Sequence, residues 1–168
     1  LDRFKLVNDT YGHPEGDELL KAFSRRTRSC LRSGDTLGRL GGDEFTVLLP
    51  DINSESDVIT IAEKIMAEMT RPFTVGGQDY YASASIGIAI YPEDGNSSES
   101  LVRNADIAMY QTKNQGKNGY LHFTPAMSSN QRDRIVLEND LRAAIKTADQ
   151  FELHYQPQIS DRKRSVIG

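Results

Sequence analysis

The chain holds 168 residues, 38% hydrophobic and 26% charged, with a net charge of −4 at pH 7. That length and balance suit one globular domain with a proper core, and the acidic surplus argues against a general nucleic-acid binder while leaving room for a local basic nucleotide pocket. The single cysteine, Cys30, excludes an intrachain disulfide and fits a reducing cytoplasm, and no apolar run reaches membrane-spanning length or forms a signal peptide. Phe4–Tyr11 reads as a short helix stopped by Gly12. Pro14 and Glu15 open a longer helix through about Leu31, with Leu19, Leu20, Phe23, Thr27, Cys30 and Leu31 at near-helical spacing. Thr36–Leu40 and Phe45–Leu49 form a hairpin around Gly41-Gly42. Asp57–Met69 is a helix whose Met66 and Met69 read as core filler. Pro72–Val75 and Gln78–Ala82 flank Gly76-Gly77 as a second hairpin, and Ala84–Ile90 is a buried strand. After a Tyr91–Ser98 loop come a helix over Ser100–Gln115 and a strand over Gly119–Phe123. Interleaved strands and helices predict an α/β (α+β) domain over 1–124, a central mixed sheet flanked by helices. Beyond Pro125 the composition shifts. Ser128–Thr147 is a charged amphipathic helix and Phe151–Ile159 an alternating strand, so 125–168 is a second unit too short to fold alone. The chain starts at Leu1 without an initiator Met and stops at Val166-Ile167-Gly168 in mid-pattern, which predicts a piece of a larger protein.

The chemistry concentrates in Arg39-Leu40-Gly41-Gly42-Asp43-Glu44-Phe45. Paired glycines accept a tight turn and let a phosphate come close, and two carboxylates at a hairpin tip can hold a hard divalent cation. By themselves, two acids after Gly-Gly also describe a solvated turn. His13, His122 and His154 share no metal-ligand spacing with Cys30, and no Ser–His–Asp arrangement is present.

Gly41–Phe45 resembles the signature of the GGDEF family, the bacterial diguanylate cyclases, and the likeness extends from Leu1 to Phe123. Leu1-Asp2-Arg3-Phe4-Lys5-Leu6-Val7-Asn8-Asp9 and Gly12-His13-Pro14-Glu15-Gly16-Asp17 are similar to its neighbouring motifs. The resemblance implies a palm-like nucleotide-cyclase fold. It also implies that Asn8 and Asp17 recognise guanine, which an amide and a carboxylate can do by matching its donors and acceptor. Without it, Asn8 is a turn residue and Asp17 a first-turn charge favoured by the helix dipole. Lys5, Lys113 and Lys117 are the implied phosphate ligands. Many relatives carry Arg at the last position, where Lys keeps the charge but not the bidentate fork. Asp43 and Glu44 are the implied catalytic and Mg²⁺ (or Mn²⁺) ligands. The family usually reads Asp-x-Asp-x-Phe-Lys, and the first of those acids, another metal ligand, would precede Leu1. The expectation is therefore that a longer parent protein is active and this segment alone weak or inactive.

Arg32-Ser33-Gly34-Asp35 resembles the family's Arg-x-x-Asp inhibitory site, which binds the product cyclic di-GMP; alone, such a pattern is usually a surface ion pair. Leu137–Arg142 with Phe151–Ile159 resembles the opening of an EAL phosphodiesterase domain, in which Gln156 matches a substrate-contact position. The implied activity is condensation of two GTP into cyclic di-GMP across a homodimer, with an attached EAL domain and an N-terminal sensor as partners. It involves no nucleic acid and no membrane contact by this segment, in a cytoplasmic setting that an upstream anchor would tie to the membrane. The alternatives are a non-catalytic GTP- or cyclic di-GMP-binding module that tunes the EAL unit, and an unrelated palm-like nucleotidyltransferase.

Overall fold

The computed structural model of the chain describes residues 1–147 and 150–159, without the side chains of 130–135 and 138; the closing Val166–Gly168 lies outside the described residues. One unit spans Leu1–Ser129 and another Asn130–Gly168.

In the first unit, α1 (Phe4–Tyr11) ends at Gly12 and α2 (His13–Ser29) follows at once, with Pro14 in its first turn. The hairpin is β1 (Thr36–Gly41) against β2 (Glu44–Leu48), antiparallel from Thr36↔Leu48 to Gly41↔Glu44. Its register slips between Arg39 and Gly41, a bulge that re-aims the tip. Gly42 turns the chain at φ 52°, and Arg39 Nε donates to its carbonyl at 2.9 Å. Next come α3 (Glu55–Met69) and the short antiparallel pair β3 (Phe73–Val75) and β4 (Gln78–Tyr80). Then β5 (Ser85–Ile88) pairs in parallel with β6 (Gly119–His122) across the crossover helix α4 (Ser98–Asn114).

The fold is a mixed α/β arrangement of small sheets and helices. The expected central sheet is present as three two-stranded pieces, two antiparallel and one parallel. Leu1 nitrogen donates to Asp43 O at 3.0 Å, and the Asp2 N–H donates to Ser83 O at 2.8 Å. Two residues bridge the hairpin to the approach of β5 but are too short to complete a ladder.

The core lies where α2 and α3 cover the strands. Val7, Leu19, Phe23, Ile65, Met69 and Phe73 are all buried there. Of the expected α2 stripe, Leu19, Leu20, Phe23 and Thr27 are buried, whereas Cys30 and Leu31 lie past the helix end at Ser29 and are only half-buried. The Phe23 and Phe45 rings meet at 4.9 Å and seat the hairpin on α2. Arg26 closes the end of α3: its guanidinium donates to the carbonyls of Glu68, Arg71 and Pro72 and lies 3.7 Å over the Phe73 ring. On the other side α4 packs against β5, and Thr112 Oγ1 donates to Ile86 O at 3.2 Å. A Ser97–Ser100 capping box starts α4.

His122, expected to be unremarkable, ties three segments together. Its Nδ1 meets Glu55 of α3 at 2.7 Å and its Nε2 meets Asp94 of the β5–α4 loop at 2.6 Å. Burial alone would lower its pKa, but the bonds to Asp94 and Glu55 outweigh this and raise it above 6.5. A raised folded pKa stabilises fully below the unfolded value of about 6.5 and is lost as pH climbs through the folded value. His122→Ala is therefore expected to cost about 1–2 kcal/mol near pH 6 and clearly less near pH 9. Urea unfolding at the two pH values checks this; an equal cost at both would remove the ionic account.

Helix α5 (Pro125–Thr147) begins in the first unit, where Met127 packs against Ala108 and Phe123. In the second unit Phe151–Ile159 does not form the expected strand: the segment carries no ladder, and Ile159 alone makes a β-bridge. Leu153 and Tyr155 are 79% and 87% exposed, which gives the physical reason. Alternation marks a face to be buried, and among the described residues of this unit no strand covers that face. Among the described residues no helix is long and apolar enough to cross a membrane.

Candidate nucleotide site

Asn8 meets Gly16, the residue before Asp17, where α1 crosses α2. Gly16 permits the crossing, since a β-carbon there would collide with Asn8 Oδ1 and stand 3.3 Å from the Phe4 ring. Asn8 Oδ1 is buried and has no hydrogen-bond partner, whereas Asp17, the next residue after Gly16, is exposed. The Asn8 acceptor is covered by Gly16, and the exposed Asp17 carboxylate is the group here that a base edge carrying N–H donors can reach. Lys5 is exposed in the first turn of α1, one helical turn before Asn8 and on the same side.

At the hairpin tip Asp43 is half-buried and Glu44 exposed. The Leu1 amino group reports what surrounds it. Burial lowers its pKa most; Asp43 and Asp2 raise it, Lys113 lowers it, and Glu44 raises it. The Leu1 nitrogen is bonded to the Asp43 carbonyl and the adjacent Asp2 to the Asn118 N–H, so the hairpin tip and the turn after α4 meet at neighbouring residues although they lie far apart in sequence. Lys117 is exposed in the turn after α4, at φ 65°.

Asp2 is the residue that sequence reasoning left without a role. It is only 3% exposed, and its carboxylate accepts from Ser83 Oγ at 2.7 Å, Ser85 Oγ at 2.8 Å and the Asn118 N–H at 3.3 Å. Burial would raise its pKa, but the two hydroxyls and the N–H together hold it below the usual carboxylate value. Its sequence signal was its place as the second acid of the Asp-x-Asp-x-Phe-Lys pattern, which says nothing of its partners.

Asp35 is also buried, at 6% exposure, and its Oδ2 accepts from the Arg32 backbone N–H at 2.7 Å. The Arg28 guanidinium holds the Asp35 carbonyl. The loop is thus braced from inside, with Arg32 exposed on it. A depression of about 490 Å³ between Pro92 and Phe123 contains none of these candidates.

Among the described residues no three His, Cys, Asp or Glu side chains group as a metal cage. Two adjacent hard carboxylates still fit Mg²⁺, which keeps several waters and binds through one or two carboxylates together with substrate phosphates. The arrangement can therefore hold a base at one end, a polyphosphate near Lys113, and a divalent ion at the tip.

Comparison with known proteins shows the family. Residues 1–119 match the family described as diguanylate cyclase, GGDEF domain. The chain is 45% identical over its whole length to the bifunctional diguanylate cyclase/cyclic di-GMP phosphodiesterase MucR of Pseudomonas aeruginosa, covering 24% of that protein. It is 42% identical over 96% of its length to the cyclic di-GMP phosphodiesterase PdeR of Escherichia coli, again 24% of the relative. It thus spans about a quarter of these relatives. Among solved structures, the GGDEF domain of TpbB from Pseudomonas aeruginosa aligns with a TM-score of 0.72 at 41% identity, covering 73% of this chain and 77% of that one.

Proposed function

The chain belongs to the GGDEF domain family of diguanylate cyclases, and from that premise we propose that it forms half of a GTP-condensing site. In this reading the ribose 3′-oxygen of one GTP attacks the α-phosphorus of a second. A P–O bond forms, the bond to the β-phosphate bridge breaks, the hydroxyl proton is lost, and pyrophosphate leaves. The reciprocal step closes cyclic di-GMP. Asn8 and Asp17 hold the guanine; Lys5, Lys113 and Lys117 hold phosphates. Asp43 and Glu44 place negative charge where the hydroxyl must lose its proton and hold the divalent ion. When bound there, Mg²⁺ or Mn²⁺ supplies Lewis acidity and lowers the hydroxyl pKa. One chain offers one guanine site and one acid pair, so two copies must face each other for reaction, and alignment of the dimer sets the rate.

The observation that carries this reading is geometric: Leu1 is bonded to the Asp43 carbonyl and its neighbour Asp2 to the Asn118 N–H, so the acidic hairpin and the turn that holds Lys117 meet at one dipeptide. Arg32, exposed on the loop that Asp35 braces, is the implied grip for cyclic di-GMP, giving product feedback. Residues 125–168 are read as linker and opening of an EAL domain, dividing the protein near residue 124, with this segment on the cytoplasmic side of any upstream anchor. A second reading, a non-catalytic nucleotide-binding module governing an attached phosphodiesterase, is favoured by the likeness to PdeR, a protein named as a phosphodiesterase.

Incubation of the full-length protein with GTP and Mg²⁺, followed by nucleotide analysis, separates the two. Cyclic di-GMP and pyrophosphate are expected, with the rate falling as cyclic di-GMP is added. Bound but unconverted GTP would support the regulatory module instead.

A further inference from the structure

The turn after α4 is held in an unfavourable conformation. Gly116, Lys117 and Asn118 have φ of 117°, 65° and 52°, three successive residues in the region that side chains avoid, and two of them are not glycine. Strain of this kind persists only where the surroundings impose it, and it gathers at functional sites. Three bonds impose it here. Lys117 N–H donates to Thr112 O at 3.1 Å, Gly119 N–H to Ala84 O at 3.1 Å, and Asn118 N–H to Asp2 Oδ2 at 3.3 Å. Only the last uses a side chain, and it reaches from the opposite end of the chain.

We propose that Asp2 is a positioning residue that fixes the Lys113–Lys117 turn relative to the acidic hairpin. Its catalytic consequence rests on the GTP-condensing reading. Leu1 and Asp2 are adjacent: the first is bonded to the Asp43 carbonyl, the second to the Asn118 N–H. One dipeptide therefore spans acid pair and phosphate lysines and sets their separation. The residue type follows from its neighbours. Two hydroxyls and a backbone N–H all point donors at one buried spot, which an acceptor-only carboxylate satisfies and a carboxamide does not. Asn8 and Asp17 make no use of this brace, so guanine binding is independent of it.

The test compares Asp2→Asn with wild type in the full-length protein. The kcat is expected to fall about tenfold or more, as for other residues that orient ligands of a site, with half-saturating GTP moving by less than about threefold. Adding Asn118→Gly should recover most of the kcat, because glycine takes the left-handed conformation without being held there. A residue that merely supports β5 would give no such rescue. Amide exchange over 116–119 should quicken in Asp2→Asn and not in the wild type. An unchanged kcat and unchanged exchange, or a double variant no better than Asp2→Asn, would overturn the proposal. If the wild type makes no cyclic di-GMP, the cyclase reading fails, while the exchange data still decide what Asp2 holds. Should Asp2→Asn not fold, Asp2→Glu, which keeps the charge and displaces the carboxylate by one methylene, is read by the same rescue and exchange.

Discussion

Asp43→Ala is expected to lower GTP condensation by the full-length protein about a thousandfold or more, with little change in thermal stability. The effect on rate follows from the loss of charge at the place where a weak nucleophile must give up its proton beside a polyphosphate. The small effect on folding follows from position. Asp43 is half-buried in a turn, and its backbone carbonyl, which the substitution keeps, makes the bond to Leu1. GTP binding should survive, since Asn8 and Asp17 lie at the α1–α2 crossing and not at the tip. Parallel measurement of cyclic di-GMP formation, GTP affinity and melting temperature checks all three. A variant retaining a tenth of the wild-type rate would remove Asp43 from the reaction.

Gly87→Ala should destabilise the fold severely, by about 3 kcal/mol or more, although it adds only one methyl group. Gly87 lies in β5, where α4 comes closest. A β-carbon would collide with the Ala105 carbonyl oxygen and the Met109 nitrogen and stand 2.9 Å from Met109 Cβ. Two of these atoms are helix backbone, which cannot rotate away as a side-chain tip can. The helix must move as a body, breaking the Thr112 bond to Ile86 O and shifting Lys113. Such a loss is a large share of the total stability of an ordinary domain. Gly38→Ala in β1 is the control: its nearest neighbour would be Thr46 O at 4.0 Å, so a change within about 0.5 kcal/mol is expected. Urea denaturation of both variants decides the matter. Equal midpoints would mean that α4 is not pinned on Gly87.

The parts of this fold that were legible in the sequence are those whose causes are local. Phe4–Tyr11 was bounded by Gly12 and is observed with the same limits. The hairpins were marked by paired glycines, and the helices by stripes such as Leu19, Leu20 and Phe23, all buried as expected. The nucleotide-site residues were legible only through a resemblance in which several short motifs occur together. What stayed hidden depends on distant partners. Nothing near Asp2 in sequence reveals that Ser83, Ser85 and Asn118 converge on it. His122 likewise meets Glu55 and Asp94 only after folding. The alternation of Phe151–Ile159 pointed to a strand because periodicity records which faces want cover and is silent on whether a partner exists.

If Asn8 receives guanine as proposed, its orphaned carboxamide oxygen would link occupancy to folding. Keeping a buried acceptor unanswered costs about 1–3 kcal/mol. On the guanine reading, the amino group of the incoming base removes that cost, so empty domains are the fragile members of the population and filled ones the robust ones. Abundance of guanine nucleotide would then govern how long each copy survives as well as how fast it works, and the same atom that chooses the base would act as a gauge of supply.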